Sequence, residues 1–277
     1  MRDEIITSVK NPRVRAVQAL MTEARERRET GRFGVEGARE IARAVRGGFV
    51  PELVVRCSEL ASDASRAALA LPALAAAPQL PVSREVFAKL AMREGVDGLV
   101  VVFVARTRTL EDVWAQLPAG RAPLVVAVDG VEKPGNVGAL ARSADGAGAD
   151  ALVVLAETAD VFGPQTVRAS LGTVLALPVV VVAPEVFLAF CRARGVRVSA
   201  AMLAADARPY DGESFVGATA LVLGSEAHGV GALWSTAADA RIIIPMHGVA
   251  DSLNVAAAGA VLLYEAARQR RASAQLA

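Results

Sequence analysis

Leu124-Val125-Val126-Ala127-Val128-Asp129-Gly130-Val131-Glu132-Lys133-Pro134-Gly135-Asn136-Val137-Gly138-Ala139-Leu140-Ala141-Arg142-Ser143-Ala144 decides the fold class. Five apolar residues in a row, three of them Val, read as a strand buried on both faces. Gly130, Pro134 and Gly135 break that run. The spacing then predicts a helix of small residues over 137–146, entered at Asn136 as N-cap. The same alternation continues downstream, with strands expected at 151–155, 178–182, 196–200, 220–223 and 241–244 and helices at 164–171, 184–194 and 252–270. Apolar strands separated by helices imply an α/β fold with a mostly parallel sheet covered on both faces, and ligands in such folds bind beyond the carboxyl ends of the strands. Chemistry is therefore expected in the loops after Val128, Leu223 and Ile244.

Upstream lies a second, smaller α/β pattern. An Arg-rich helix is expected over 12–28, a short strand over 32–35, a helix over 37–46 and a buried strand over 51–55. The Ala-rich stretch 61–77 reads as helical, Ser83 as the N-cap of a short helix to Leu90, and the run Leu99–Val104 as a strand inside a sheet. A polar segment with Pro118 and Pro123 separates the two patterns. The division expected is an N-terminal domain over 1–105, a linker over 106–122 and a C-terminal domain over 123–277.

Composition excludes several classes. Of 277 residues 53% are apolar and 4% aromatic, with a net charge of +1, which is ample for a buried core and unlike a disordered chain. The longest apolar run, 174–184, is 11 residues and carries a proline, too short to span a bilayer. Met1-Arg2-Asp3-Glu4 has no basic-then-apolar signal pattern, so a cytoplasmic protein is expected. Cys57 and Cys191 with His228 and His247 are too few for a structural zinc site, and no metal is expected. Basic residues are concentrated in the first 46 positions, 11 Lys and Arg against 7 Asp and Glu. All but Lys10, Lys89 and Lys133 are Arg, either because a planar fork suits phosphate or because a GC-rich genome favours Arg codons. The chain has no phosphate-binding Gly-x-x-x-x-Gly-Lys loop, no Gly-x-Gly-x-x-Gly after the first strand of either domain and no Gly-x-Ser-x-Gly elbow. A nicotinamide-dependent oxidoreductase is thereby disfavoured.

Three loops carry candidate chemistry. In the first, Arg142 stands in a helix of otherwise small residues, where an unpaired guanidinium could not be buried and would meet an anion or a carboxylate. In the second, Gly224-Ser225-Glu226-Ala227-His228-Gly229, glycines allow close backbone approach, and Glu226 is either a turn charge or an acceptor inside a site. In the third, Ile244-Pro245-Met246 leads through Ser252-Leu253-Asn254 into the last helix, where capping alone would account for Ser252 and Asn254. Leu253, Ala257, Ala260 and Tyr264 share one face of that helix, as core or as a subunit contact.

In this order and spacing, Asn136-x-Gly138-Ala139-Leu140-x-Arg142-Ser143-Ala144, Leu223-Gly224-Ser225-Glu226 and Ile244-Pro245-Met246 with Ser252-Leu253-Asn254-Val255 resemble the three signature motifs of the SpoU (TrmH) family. These are S-adenosylmethionine-dependent RNA 2′-O-ribose methyltransferases of the SPOUT superfamily. The resemblance covers 123–277, including Arg168-Ala169-Ser170-x-Gly172. More weakly, Gly31-Arg32-Phe33-Gly34-Val35-Glu36-Gly37 is similar to the substrate-binding domain attached to many members. The resemblance implies a deep trefoil knot in the C-terminal domain, a small RNA-binding N-terminal domain and a homodimer with the site near the subunit contact. It implies S-adenosylmethionine held around Leu223, Gly224, Ile244, Met246 and Leu253. Arg142 is implied as the catalytic residue, with Asn136 and Glu226 positioning it or the ribose and Ser252 and Asn254 shaping the site. A guanidinium holds its proton too firmly to be a literal base, so the role expected for Arg142 is to bind phosphate and stabilise the developing alkoxide. Arg13, Arg15, Arg25, Arg27 and Arg28 on the first helix, with Arg168, are candidate RNA contacts; Glu23, Glu26 and Glu29 could equally be their intrahelical partners. A separate substrate domain favours large-subunit rRNA over tRNA as the substrate. The alternatives are a tRNA 2′-O-methyltransferase and a non-catalytic RNA-binding relative.

Overall fold

The computed structural model describes residues 4–92, 97–106, 108–156 and 159–275. Thr107 of the expected linker, and the first three and last two positions of the chain, lie outside the described residues. The chain forms two compact units, one of 1–106 with 161–176, the other of 107–160 with 177–277.

The first unit is built on a four-stranded sheet of β1 (Arg32–Glu36), β2 (Pro51–Arg56), β3 (Gln79–Pro81) and β4 (Leu99–Val104) in the order β1-β4-β2-β3. Strand β4, Leu-Val-Val-Val-Phe-Val, lies between two antiparallel partners, and its first five residues are buried, as its unbroken apolar run requires. Ser83 caps the helix Arg84–Leu90, its Oγ accepting from Val86 N. The expected helix over 12–28 is two helices, Pro12–Thr22 and Ala24–Thr30, because Glu23 is extended between them (φ −115°, ψ 113°). This break turns Arg27 inward. It is buried and donates to Leu20 O at 2.5 Å, so it leaves the solvent face expected of it.

Segment 161–176 follows the second unit's strands in sequence but packs within the first unit. Phe162 stacks on Phe33 with ring centroids 4.7 Å apart and meets Phe49 edge-on at 5.6 Å. Arg43 Nη1 donates to Leu171 O at 2.6 Å. Gly172 has φ +83°, and a Cβ there would lie 3.0 Å from the Glu40 backbone, so only glycine makes this turn.

The second unit is a seven-stranded sheet of β5 (Leu124–Asp129), β6 (Ala151–Leu155), β7 (Val179–Val182), β8 (Arg197–Ala201), β9 (Arg208–Pro209), β10 (Thr219–Gly224) and β11 (Ala240–Ile243). Its order is β7-β6-β5-β10-β8-β11-β9, and every neighbouring pair is parallel. The two-residue β9 and the short helices Leu110–Ala115 and Ala232–Ala237 have no periodic pattern long enough to read from sequence. Residues 124–128 and 219–223 are fully buried, as helices on both faces demand. Order reverses between β5 and β10, and their register pairs Asp129 with Gly224, so the first two loops leave the sheet side by side. The last helix, Val255–Ala274, packs on the helix Pro134–Ala147 through Gly259, where a Cβ would lie 2.2 Å from Leu140 Cδ1 and 2.9 Å from Leu223 Cδ1. Its buried face is Val255, Ala256, Gly259, Leu262, Leu263, Ala266 and Ala267. The stripe Leu253, Ala257, Ala260 and Tyr264 is therefore not core; Tyr264 is half exposed.

Candidate active site

The first loop enters its helix earlier than expected. Pro134, not Val137, opens it; proline's fixed φ suits a first helical turn and its missing N–H needs no partner there. Lys133 is the N-cap residue without a side-chain cap, and Asn136, now inside the first turn, keeps its amide free for another partner. That partner is Glu226 of the second loop: Asn136 Nδ2 donates to Glu226 Oε1 at 3.3 Å, and Lys133 Nζ donates to Glu226 Oε2 at 2.8 Å. From the third loop, Asn254 Nδ2 donates to Glu226 Oε1 and to Asn136 Oδ1, the latter at 3.1 Å. Asn254 Oδ1 meanwhile accepts from Ala256 N at 3.0 Å and caps the last helix. Capping and site-building, alternatives in the sequence, are one arrangement here. Because Oδ1 serves the helix, Nδ2 must face the carboxylate.

One carboxylate thus joins three loops. The hydrogen bond from Lys133 holds the Glu226 carboxyl below the usual carboxylate range, its charge adds to that, and Asn254 and Asn136 contribute through their amides. The Lys133 ammonium is raised for the reciprocal reason.

Beside this junction lies a cavity of about 420 Å³, walled by the carboxyl ends of β10 and β11 and by the second and third loops. Leu223, Gly224, Glu226, Ile244, Met246, Ser252 and Leu253 line it, so the five residues expected to hold a cofactor share one space. The second loop is folded back on itself. Ser225 N donates to Gly229 O at 3.0 Å, Gly229 N to Ser225 O at 2.8 Å, and Ser225 Oγ accepts from His228 N at 3.1 Å. A Cβ at Gly224 would lie 2.0 Å from Gly229 C and 2.1 Å from Val230 N, so the strand end and the returning loop touch backbone to backbone. Asp129, at the end of β5, anchors the far side: its Oδ2 accepts from Gly231 N at 2.7 Å and from the Trp234 indole at 2.9 Å.

Arg142 does not join this junction. It stands six residues beyond Asn136, about 9 Å along the helix axis, is exposed, and has no ion-pair partner among the described residues. Its charge is open to an external anion. Arg13, Arg15, Arg25, Arg28 and Arg168 all fall in the first unit and are exposed. Arg25 pairs with Glu29 at 2.6 Å in the intrahelical manner, whereas Arg13, Arg15, Arg28 and Arg168 have no ion-pair partner among the described residues. Lys133 and Asp129 lie outside the quoted motifs, and Ser225, a motif member, carries no role from the sequence. Lys133 alone carried a signal, as one of three lysines in a chain that otherwise uses Arg.

Residues 123–264 match the family model described as the SpoU rRNA Methylase family, and residues 11–101 match the MRM3-like substrate binding domain. The 23S rRNA (uridine(2479)-2'-O)-methyltransferase of Streptomyces viridochromogenes is 32% identical, the match spanning 96% of this chain and 92% of that protein. The 23S rRNA (guanosine(2553)-2'-O)-methyltransferase RlmP of Bacillus subtilis is 31% identical over 94% of this chain and 97% of its own. Among solved structures, an AdoMet-bound rRNA methyltransferase from Sinorhizobium meliloti superposes with a TM-score of 0.84 at 31% identity, covering 96% of this chain and 97% of that one.

Proposed function

This chain belongs to the SpoU rRNA methylase family, and from that premise we propose that it transfers a methyl group from S-adenosylmethionine to a ribose 2′-hydroxyl of large-subunit rRNA. The observation that carries the reading is the junction of three loops on Glu226 at the rim of a cavity. The cavity fits the cofactor by the chemistry of its lining. Leu203, Ile242, Ile244, Met246 and Leu253 offer apolar walls to an adenine ring and a thioether chain, and the 224–230 backbone offers polar groups to the ends. Bound there, the cofactor supplies an activated sulfonium methyl.

The remaining demands fall on the protein. A ribose hydroxyl is a weak nucleophile, so its oxygen must be held in line and the charge it develops must be stabilised. Arg142, exposed and without a carboxylate partner among the described residues, binds a phosphate of the substrate and stabilises the alkoxide, while a phosphate oxygen takes the proton. Glu226, ionised and held by three donors, does not serve as the base; it fixes Asn136 and Asn254 against the ribose, and Ser252 shapes the rim. The family resemblance implies a homodimer with the site near the subunit contact, and the reading includes it. The exposed stripe of Leu253, Ala257 and Tyr264 suits that contact. It also includes a deep trefoil knot around the cofactor loops and a cytoplasmic location; among the described residues no helix is long and apolar enough to cross a membrane.

Residues 1–105 take the role of an RNA-binding domain and 123–277 that of the methyltransferase, except that 161–176 packs in the first unit and the expected linker 107–122 packs in the second; Arg13, Arg15, Arg25, Arg28 and Arg168, all in the first unit, serve as phosphate contacts. The substrate-domain match and two near full-length relatives named for 23S rRNA support rRNA over tRNA. The target nucleotide must be accessible, in a loop or flipped out of its helix. The test is incubation with labelled S-adenosylmethionine and total RNA from a strain lacking the gene. Label in 23S rRNA supports the reading; label in tRNA alone overturns the substrate, and no label in either overturns the activity.

A further inference from the structure

We propose that Lys133 is a positioning residue for this site, its ammonium fixing one oxygen of Glu226 so that the other is presented to Asn136 and Asn254 together. The inference rests on the methyltransferase reading for its consequence in rate, and on geometry alone for the contact.

The donor inventory forces the arrangement. Asn254 Oδ1 is committed to the Ala256 N–H, and Asn136 Oδ1 to Asn254 Nδ2, so both amides can only donate toward Glu226. Both meet Oε1, which leaves Oε2 with Lys133 as its sole side-chain donor among the described residues. A carboxylate anchored at one oxygen only can turn about its terminal bond, a broad and soft torsion. The anchor at Oε2 removes that freedom and thereby fixes the direction of two amides from two other loops. Lys133 is able to do this because Pro134 begins the helix directly after it and pins the end of its loop.

The exposure of the Lys133 side chain, 75% against 32% for Glu226, gives the pair little weight in folding. Its effect lies in orientation. No other charged side chain bonds Glu226 among the described residues; Asn136 and Asn254 are neutral, and His228 and Asp251 line the same cavity.

The experiment compares Lys133→Met, Lys133→Arg, Glu226→Gln and the double variant Lys133→Met/Glu226→Gln, by melting temperature, by steady-state methyl transfer and by the side-chain amide NMR signals of Asn136 and Asn254 in the protein without cofactor. Lys133→Met is expected to move both amide signals toward their Glu226→Gln positions and to lower kcat about fivefold with KM for RNA little changed. Its melting temperature should match wild type, Lys133→Arg should restore the signals and rate, and the double variant should be no slower than Glu226→Gln alone. Amide signals unmoved by Lys133→Met overturn the inference, as does a double variant whose losses multiply. A wild-type protein without methyl transfer would overturn the function instead, and the amide signals would still decide the role of Lys133.

Discussion

Replacing Gly224 with Ala perturbs the cavity at its tightest point. The added Cβ would sit 2.0 Å from Gly229 C, 2.1 Å from Gly229 O and 2.1 Å from Val230 N, all backbone atoms that no rotamer change can move. Ordinary contact begins at 3.4 Å, so the end of β10 and the returning loop must part by about 1.4 Å. That separation breaks the reciprocal Ser225–Gly229 hydrogen bonds, about 1 kcal/mol each net, and adds ~1–3 kcal/mol of overpacking. Summed, the closed loop is disfavoured by about 3–5 kcal/mol relative to an open one. The loop walls the cavity, so the affinity for S-adenosylmethionine should fall by two decades or more, since each 1.4 kcal/mol is about tenfold. Titration calorimetry reads this directly, with Gly217→Ala as control because nothing lies within 4 Å of a Cβ there. Wild-type affinity in Gly224→Ala, with Gly217→Ala also unchanged, would refute the placement of the cofactor against this loop.

Arg142→Ala should keep cofactor affinity while methyl transfer falls below detection in a filter-binding assay; normal turnover would remove Arg142 from the chemistry. Arg270 donates to Phe215 O, Ala122 O, Pro123 O and Gly217 O; Pro123 O and Gly217 O also accept from Thr219, so Arg270→Met strands the Phe215 and Ala122 carbonyls and should cost about 3 kcal/mol, read as a drop of roughly 6–12 °C in melting temperature. Arg13→Ala and Arg15→Ala should each lower the slope of log affinity for RNA against log salt by about one. Arg25→Ala should do so less, because Arg25 is paired with Glu29. Glu226, held below its ordinary range, supports the three-loop junction above the free carboxyl value, and that support is lost as pH falls through the depressed value. Acid titration of cofactor affinity should show this loss, and Glu226→Gln should abolish the dependence.

Strands were legible in the sequence because the second unit's sheet is covered on both faces. Uninterrupted apolar runs rich in Val and Leu, such as 124–128 and 151–155, have no other economical reading. The helix start at Pro134 is not legible because Asn136 is an equally good cap by residue type; only its distance from Glu226 reveals that its amide is engaged elsewhere. The excursion of 161–176 into the first unit depends on Phe162 finding Phe33, a contact that no local pattern encodes. In the site, Asn136, Glu226 and Asn254 were legible as motif members. That one carboxylate ties all three, and that Lys133 completes it, is visible only in three dimensions.

The central claim is that the group modified is a ribose hydroxyl. It is tested by transferring labelled methyl to 23S rRNA and hydrolysing the product in alkali, which cleaves wherever a 2′-hydroxyl is free. The account predicts label in an alkali-resistant dinucleotide at a single position. Label released entirely as mononucleotide would place the methyl on a base and contradict it.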